Sequence, residues 1–503
     1  MRKLRKNQIN VLTTLMRQLI STVCGILMPR ILIGAFGSIV YGATTSIAQF
    51  LSFISLLEGG IGRVARGALY EPLARGDREQ ISRIHRSIRK FFLKIAGAFL
   101  IYTLIIAYFY YDIAANAVFD RPFTFALVVA ISLSTMANYL GGIADLTLMN
   151  ADQKQYLSNT VTAVTCMLNV LLVLVLVWAG SNILVVKFAS ALVFVSRRIF
   201  YSGYVRNHYK LPRTEKGFRL EQQWTGLGQH LAFFLHTNTD VILLTLFADL
   251  KLVAVYSIYY LVVRSIWDIS SSFSGGMEAA FGELIAKGKT DALHGSCGKY
   301  STMLTLVAVV LFSCTGVLIV PFVRLYMAGI TDADYIQPVF ALILILAEAM
   351  NCLALPYTTL PISANQLKQS RWGSYGEAIL NVGLSLLLIR WDPLLGVALG
   401  TLVAAVFKSL FYMIYSTGRI LHISLWGVFC RFVGAVGLIL TVSCVGMTAL
   451  WRVPMENFIV WVLWAVAVFL MVGILAVLLF VGTDPKRVNP LFRKLSGRKD
   501  PEK

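Results

Sequence analysis

The chain carries little charge for its length of 503 residues. Only 14% of its residues are Asp, Glu, Lys or Arg, whereas soluble domains carry about 25%. Hydrophobic residues make up 57% of the chain, and its mean hydropathy is +0.72. So few charged side chains cannot form a water-soluble surface, and the composition therefore excludes an ordinary soluble enzyme or binding domain.

Motifs for common catalytic and metal sites are also missing. The sequence has no phosphate-binding P-loop, no HExxH pair and no CxxC pair. Its seven cysteines are scattered, mostly within apolar stretches, and are interpreted as small buried side chains rather than a disulfide framework. We therefore expect no catalytic residue, metal site or cofactor. A cleaved signal peptide is not expected either, because the basic start leads directly into a long apolar span.

Long apolar runs fill most of the sequence instead. A helix of about 20 apolar residues crosses the ~30 Å hydrocarbon core of a bilayer, and the runs here are continuous rather than alternating. They predict an all-α integral membrane protein with about fourteen transmembrane helices. The predicted spans are residues 9–33, 38–59, 91–111, 122–143, 157–179, 182–200, 226–248, 252–273, 301–323, 335–356, 372–390, 394–416, 425–450 and 457–481.

The excess of basic residues, 45 Lys and Arg against 25 Asp and Glu, is interpreted as an orientation signal. With the N-terminus inside, most basic residues fall in segments predicted to be cytoplasmic. Those predicted to lie on the opposite side are Arg121, Lys251, Arg324, Arg390 and Arg452. This distribution predicts a multi-pass membrane protein with both termini cytoplasmic. The charge is attracted to anionic membrane lipids, and a nucleic-acid partner is not expected.

Basic residues from Arg75 to Lys90 are interleaved with isoleucines at helical spacing. This pattern predicts an amphipathic helix on the cytoplasmic leaflet. We interpret it as a connector at the membrane surface rather than as part of a substrate site.

The second half of the chain repeats the first at an offset of 211 to 213 residues. The matches are Phe36 and Ser46-Ile47 with Phe247 and Ser257-Ile258, Glu71-x-Leu73-Ala74-Arg75-Gly76 with Glu283-x-Ile285-Ala286-Lys287-Gly288, Ala151-Asp152-Gln153 with Ala364-Asn365-Gln366, Leu168-Asn169-Val170 with Leu380-Asn381-Val382, and Arg197-x-x-Phe200-Tyr201 with Lys408-x-x-Phe411-Tyr412. The predicted organisation is a six-helix bundle at 1–212, its repeat at 213–424, helices 13 and 14 at 425–481 and a basic cytoplasmic tail at 482–503. Because six spans are an even number, both copies enter the membrane in the same orientation, and such parallel repeats occur in transporters.

Several motifs resemble those of bacterial polysaccharide flippases. They are the basic N-terminus before a polar first helix, Phe36-Gly37-x-x-x-Tyr41-Gly42, Gly59-Gly60-Ile61-Gly62, Asn150-Ala151-Asp152-Gln153 and the two Leu-Asn-Val segments. The whole chain is similar to the O-antigen (Wzx-type) exporters of the multidrug/oligosaccharidyl-lipid/polysaccharide (MOP) superfamily. The resemblance implies a MATE-like fold and a flippase, not an enzyme, that carries undecaprenyl-pyrophosphate-linked oligosaccharide to the periplasmic leaflet. We expect it to function as a monomer, with the polysaccharide polymerase machinery as a candidate partner.

Charged side chains within the spans are the candidate substrate contacts, since each costs at least ~2.5–3.5 kcal/mol near the bilayer centre. A polar line on helix 1, expected to line the space between the halves, consists of Asn10, Thr14, Arg17, Ser21 and Cys24. Guanidinium groups suit a pyrophosphate, so Arg17, Arg264 and Arg30 are candidate head-group contacts. The alternatives are pairing of Arg264 with Asp268 and snorkelling of Arg30 to the outer interface. Snorkelling is also the interpretation for Lys187, Lys408 and Arg431.

Helix 7 is unusually polar for a span, and its polar face contains Gln229, Phe233, His236 and Asp240. Buried carboxylates and imidazoles readily change their protonation, so the candidate ion-coupling residues are Asp240, His236, Asp268 and Glu348. The alternative is a hydrogen-bond network that only holds helices together. Tyr256 and Tyr260 are candidates to stack on sugar rings.

Other functions stay open at this point. A peptidoglycan-precursor flippase or a multidrug exporter of the same superfamily would share most of these features. A membrane glycosyltransferase or polymerase is less favoured, because the predicted periplasmic loops are short.

Overall fold

The structure, a computed structural model, describes residues 2–58, 61–115, 119–212, 227–272, 274–451 and 457–483, together with Phe218, Val453 and Met455. Over these residues the chain is helical and contains no strand. Eleven of the described helical stretches are long and apolar enough to cross a membrane. Three more polar helices, Ile183–Tyr209, Leu227–Phe247 and Leu367–Leu388, occupy the other predicted spans. The predicted all-α fold of a multi-pass membrane protein is confirmed.

The first of two compact units contains Met1–Phe234 and Ala248–Ala254. Its complete helices are α1 (Arg2–Phe36), α2 (Ser38–Ser52), α3 (Ile61–Arg75), α4 (Arg78–Tyr110), α5 (Arg121–Ala137), α6 (Ile143–Ala151), α7 (Gln155–Trp178) and α8 (Ile183–Tyr209). Gly37 separates α1 from α2. Its φ of 84° is a conformation that favours a residue without a Cβ. A wider π turn, Asn138–Gly142, joins α5 to α6.

The second unit contains Leu235–Phe247 and Val255–Lys503. Its helices are most of α9 (Leu227–Phe247) and of α10 (Leu250–Ser271), then α11 (Ser274–Ala286), α12 (Thr290–Tyr326), α13 (Pro338–Ser363), α14 (Leu367–Leu388), α15 (Pro393–Ser416), α16 (Leu425–Trp451) and α17 (Phe458–Thr483). Asp392 caps α15 by accepting a hydrogen bond from the Leu395 backbone N–H at 2.8 Å. The last two helices pack against α12.

The two units share features at the offset found in the sequence. Each has a short helix after its second span, α3 in the first unit and α11 in the second. Residues with positive φ recur 212 positions apart, at Gly76 and Gly288, Gln153 and Asn365, and Lys210 and His422. Because this conformation is uncommon outside glycine, the shared turns agree with the repeat offset of the sequence, and the division into two six-helix bundles stays a prediction. The boundary at 212–213 and the tail at 482–503 stay predictions, since residues 213–217 and 484–503 lie outside those described.

The segment from Arg75 to Lys90 folds differently from the predicted surface helix. α3 ends at Arg75, and the residues from Arg78 onward begin α4, which continues into a membrane span. The isoleucines at 81, 84 and 88 are at most 4% exposed and belong to the core of the first unit. The prediction of one amphipathic helix on the leaflet was therefore wrong, because the apolar face packs on protein rather than lipid.

Candidate functional site

A buried carboxylate, Asp240 in α9, forms the centre of a polar network in the second unit. Asp240 is only 3% exposed. Its Oδ2 accepts hydrogen bonds from the Tyr256 hydroxyl at 2.7 Å and from the Thr401 hydroxyl at 2.9 Å. Thr401 Oγ1 in turn accepts from Asn381 Nδ2 at 2.8 Å. The helices α9, α10, α14 and α15 thus each contribute one side chain to the network.

Two glycines of α15 let this helix approach α14 closely. A Cβ at Gly400 would lie 2.2 Å from Ser385 Oγ, and a Cβ at Gly396 would lie 2.6 Å from the backbone of α14. Small residues four positions apart are typical of tight helix contacts in membranes. This approach places Thr401 within hydrogen-bond distance of Asn381. Sequence reasoning missed Thr401 and Asn381 as site residues, although the spaced glycines were a signal for the contact.

Three oxygens of this region have no hydrogen-bond partner among the described residues: Asp240 Oδ1, Asn381 Oδ1 and Ser385 Oγ. All three residues are at most 3% exposed. A buried polar atom without a partner costs about 1–3 kcal/mol of stability. A ligand that binds these oxygens would therefore stabilise the fold. Carboxylate, amide and hydroxyl oxygens suit hard cations, and a carboxylate also accepts a proton. The cluster is therefore suited to a small cation or a proton.

Tyr256 and Tyr260 are stacked on one face of α10, with ring centroids 5.6 Å apart. The side chain of Arg264 hydrogen-bonds Tyr260, and its Nε lies 3.3 Å from Asp268 Oδ1. Its guanidinium also lies over the Trp267 ring, 4.1 Å from the centroid. The structure thus brings these predicted residues together on α10, with the pairing to Asp268 that the sequence left as the alternative for Arg264.

Two further acidic residues are buried in the second unit. Glu348 in α13 is 2% exposed and interacts electrostatically with Tyr256 and Tyr260. Glu377 in α14 is also 2% exposed and accepts a hydrogen bond from Lys408 Nζ at 2.9 Å. The snorkelling predicted for Lys408 was wrong, because its ammonium is held in this buried ion pair.

The same contact recurs in the first unit with a neutral acceptor. At the repeat offset, Lys408 and Glu377 correspond to Arg197 and Thr165. Arg197 Nε donates to Thr165 Oγ1 at 2.5 Å. Because threonine carries no charge, this contact does not neutralise the guanidinium of Arg197. In the second unit, the carboxylate of Glu377 neutralises the ammonium of Lys408.

The polar side of α1 packs against α7 within the first unit. Asn10 Nδ2 donates to the Gln153 carbonyl at 3.0 Å, and Asn159 Nδ2 donates to Thr14 Oγ1 at 2.8 Å. These side chains thus hold α1 against α7, and the prediction that the polar line of α1 borders the space between the halves stays a prediction. Arg17, on the same helix, is partly buried and forms no hydrogen bond or ion pair with any residue in the described part of the chain.

Two other predicted site residues are less fully defined. Arg30 follows Pro29 within α1 and is partly buried. His236 belongs to α9, but its side chain lies outside the described part of the structure, as do those of Gln229 and Phe233 on the same face. The coupling role of His236 stays a prediction.

Comparison with known proteins identifies the architecture. No family model and no curated protein matches the sequence. Among solved structures, the lipid II flippase MurJ in an inward closed conformation is 11% identical, with a TM-score of 0.66 over 94% of this chain and 99% of its own. The eukaryotic MATE transporter AtDTX14 is 13% identical, with a TM-score of 0.56 over 87% of this chain and 99% of its own. The MATE multidrug transporter DinF-BH is 12% identical, with a TM-score of 0.53 over 83% of this chain and 96% of its own.

The chain shares the fold of these flippase and MATE transporter structures. The predicted MATE-like architecture is thereby confirmed. Identities of 11% to 13% establish the fold, so the substrate has to be argued from the site.

Proposed function

We propose that the chain is a flippase that moves an oligosaccharide linked to undecaprenyl pyrophosphate from the cytoplasmic to the periplasmic leaflet of the inner membrane. It works by alternating access, coupled to an ion gradient. The observation that carries the proposal is the Asp240 network, in which buried oxygens lack partners among the described residues. A network that only joined helices would satisfy its own oxygens, because each one left unpartnered costs stability.

Asp240 is the proposed coupling residue. Its Oδ1, with Asn381 and Ser385, binds the driving cation, while Tyr256 and Thr401 hold the other oxygen and fix the orientation of the carboxylate. A cation that binds one conformation better than the other shifts the equilibrium between them. Binding from one side of the membrane and release on the other would thus drive the transport cycle.

Arg17 is the proposed contact for the pyrophosphate head group. It forms no ion pair with any described acidic residue, and a guanidinium binds phosphate oxygens in a bidentate manner. Arg264 is a weaker candidate because it is already held by Asp268 and Trp267, and Arg30 is a further one. The stacked rings on α10 are proposed to support contacts with sugars.

The choice among substrates rests on the similar solved structures and on the charged residue in the polar line of α1. The likeness to a lipid II flippase supports a lipid-linked substrate, and it supports the peptidoglycan precursor as well as an O-antigen unit. The likeness to MATE transporters keeps a multidrug exporter as the alternative. The polar line of α1 carries an arginine, Arg17, and no carboxylate, which favours an anionic substrate over a cationic drug. Action as a monomer beside a polysaccharide polymerase is part of the same proposal.

Deleting the gene and measuring lipid-linked oligosaccharides by mass spectrometry, together with surface polysaccharide, tests the proposal. We expect one complete, unpolymerised repeat unit to accumulate on undecaprenyl pyrophosphate while the surface glycan is lost. Wild-type protein should relieve the accumulation, Arg17→Ala should relieve it least, and Arg264→Ala only in part. Arg75→Ala, at an exposed arginine of α3, is the matched control and should behave as wild type.

Two results would redirect the assignment. Accumulation of the peptidoglycan precursor would identify that lipid as the substrate. Unchanged lipid pools and surface glycan, in a strain without a second exporter, would contradict the polysaccharide proposal and favour drug export.

A further inference from the structure

A cavity of about 300 Å³ lies within the first unit, bounded by α1, α2, α5, α7 and α8. Most of its wall is apolar, but Lys187 lines it together with Thr44, Ser134, Ser190 and Asn169. None of the described residues that line it is acidic. Lys187 is partly buried and lines this cavity, and the snorkelling predicted for it stays a prediction. We call this space the Lys187 cavity.

Two groups in the Lys187 cavity lack partners within the part of the chain that the structure describes. Lys187 is partly buried and forms no ion pair and no hydrogen bond there, and an ammonium among apolar helices is costly unless it is paired. Asn169 is 7% exposed, and its Oδ1 accepts no hydrogen bond. The cavity thus offers one positive charge and one unsatisfied acceptor.

The second unit shows how the equivalent region is used elsewhere in this fold. At the repeat offset, Asn169 corresponds to Asn381 and Ser190 to Thr401, which both belong to the network around that unit's buried carboxylate. In the first unit, Pro29 stands at the position that matches Asp240. The charged side chain in this region is instead a cation, Lys187, which lines the cavity. The charge of the equivalent region is reversed, so it suits an anion.

We propose that the Lys187 cavity binds one small oxyanion that carries a proton, such as hydrogen phosphate or hydrogencarbonate, taken from solution. Lys187 supplies the positive charge, and the Ser190 hydroxyl donates a hydrogen bond to one of the anion's oxygens. The hydroxyls of Thr44 and Ser134 already donate to the carbonyl oxygens of Tyr41 and Ile131. The anion's own O–H donates to Asn169 Oδ1. A halide satisfies the ammonium but leaves this acceptor without a donor. The site lies within the first unit and is independent of the substrate and coupling ion proposed above.

The thermal stability of the purified full chain in detergent tests this proposal. Phosphate, hydrogencarbonate and chloride are titrated separately, with ionic strength held constant by a bulky organic sulfonate. We expect the Tm of wild type to rise with phosphate or hydrogencarbonate, since a ligand that binds only the folded state stabilises it. Lys187→Met should abolish the rise and Asn169→Ala should reduce it. Lys94→Met, at an exposed lysine of α4, should leave it unchanged.

Other outcomes overturn the proposal. An equal rise with chloride would contradict the assignment to an oxyanion that carries a proton. A rise that persists in Lys187→Met, or no rise with any anion in wild type, would show that the cavity holds no such site. Lys187→Arg, which keeps the charge, should keep the response and serves if the methionine variant does not fold.

Discussion

At the residue scale, the two oxygens of Asp240 have different surroundings. One accepts hydrogen bonds from Tyr256 and Thr401, and the other has no partner among the described residues. Asp240→Asn keeps the size but removes the charge, so we expect the apparent affinity for the driving cation to fall by about a hundredfold or more. This follows because removing one member of a buried charge pair costs ~3–5 kcal/mol, and ~1.4 kcal/mol corresponds to tenfold. Cation-dependent stabilisation of the purified protein measures the change.

The matched control is Asp249→Asn, since Asp249 is exposed in the turn between α9 and α10. It should respond to cations as wild type does. If Asp240→Asn kept the wild-type response, the coupling site would have to be sought elsewhere, with Glu348 as the next candidate.

The surroundings of single cations were the least predictable part of the site. In the sequence, Lys187 and Lys408 both lie near the ends of spans, from which a long side chain can reach the interface. The packing of α14 on α15 instead places Lys408 beside Glu377. The side chain of Lys187 lines a cavity bounded by five helices. These contacts join residues remote in sequence, and no local pattern specifies them.

At the element scale, the close packing of α14 and α15 determines the geometry of the network. Gly396→Ala would place a Cβ 2.6 Å from the backbone of α14, so the two helices have to separate. We expect a loss of about 1–3 kcal/mol in stability and weaker cation binding, because the bond between Asn381 and Thr401 lengthens. Thermal unfolding in detergent measures the first effect, and cation titration measures the second.

Gly383→Ala provides the control within α14. A Cβ there would meet no atom within 4 Å, and alanine favours a helix over glycine by about 1 kcal/mol. This variant should be as stable as wild type or slightly more so. Equal losses in both variants would mean that the contact between α14 and α15 does not control the site.

At the scale of the whole molecule, an even number of spans and the distribution of basic residues predict one topology. Alkaline phosphatase fused after Gly180 or Gly329 should be active, because both turns are predicted to be periplasmic. A fluorescent protein fused after Lys210 or Lys289 should fluoresce, because these turns are predicted to be cytoplasmic. Phosphatase activity and fluorescence of these fusions are measured in intact cells. Active phosphatase at Gly180 and at Lys210 alike would contradict the predicted alternation.

The sequence by itself determined the class of fold, the positions of the helices and the internal repeat. Apolar runs of membrane-spanning length and the repeated motifs are local or periodic features of the sequence. They can be recognised without knowing what each helix packs against. The tertiary structure alone decided which polar groups meet: Asp240 with Thr401, Lys408 with Glu377, and Lys187 with Asn169 in the wall of one cavity. The physical reason is that the facing side of each helix, and hence the partner of each buried polar group, is fixed by close packing between helices distant in sequence.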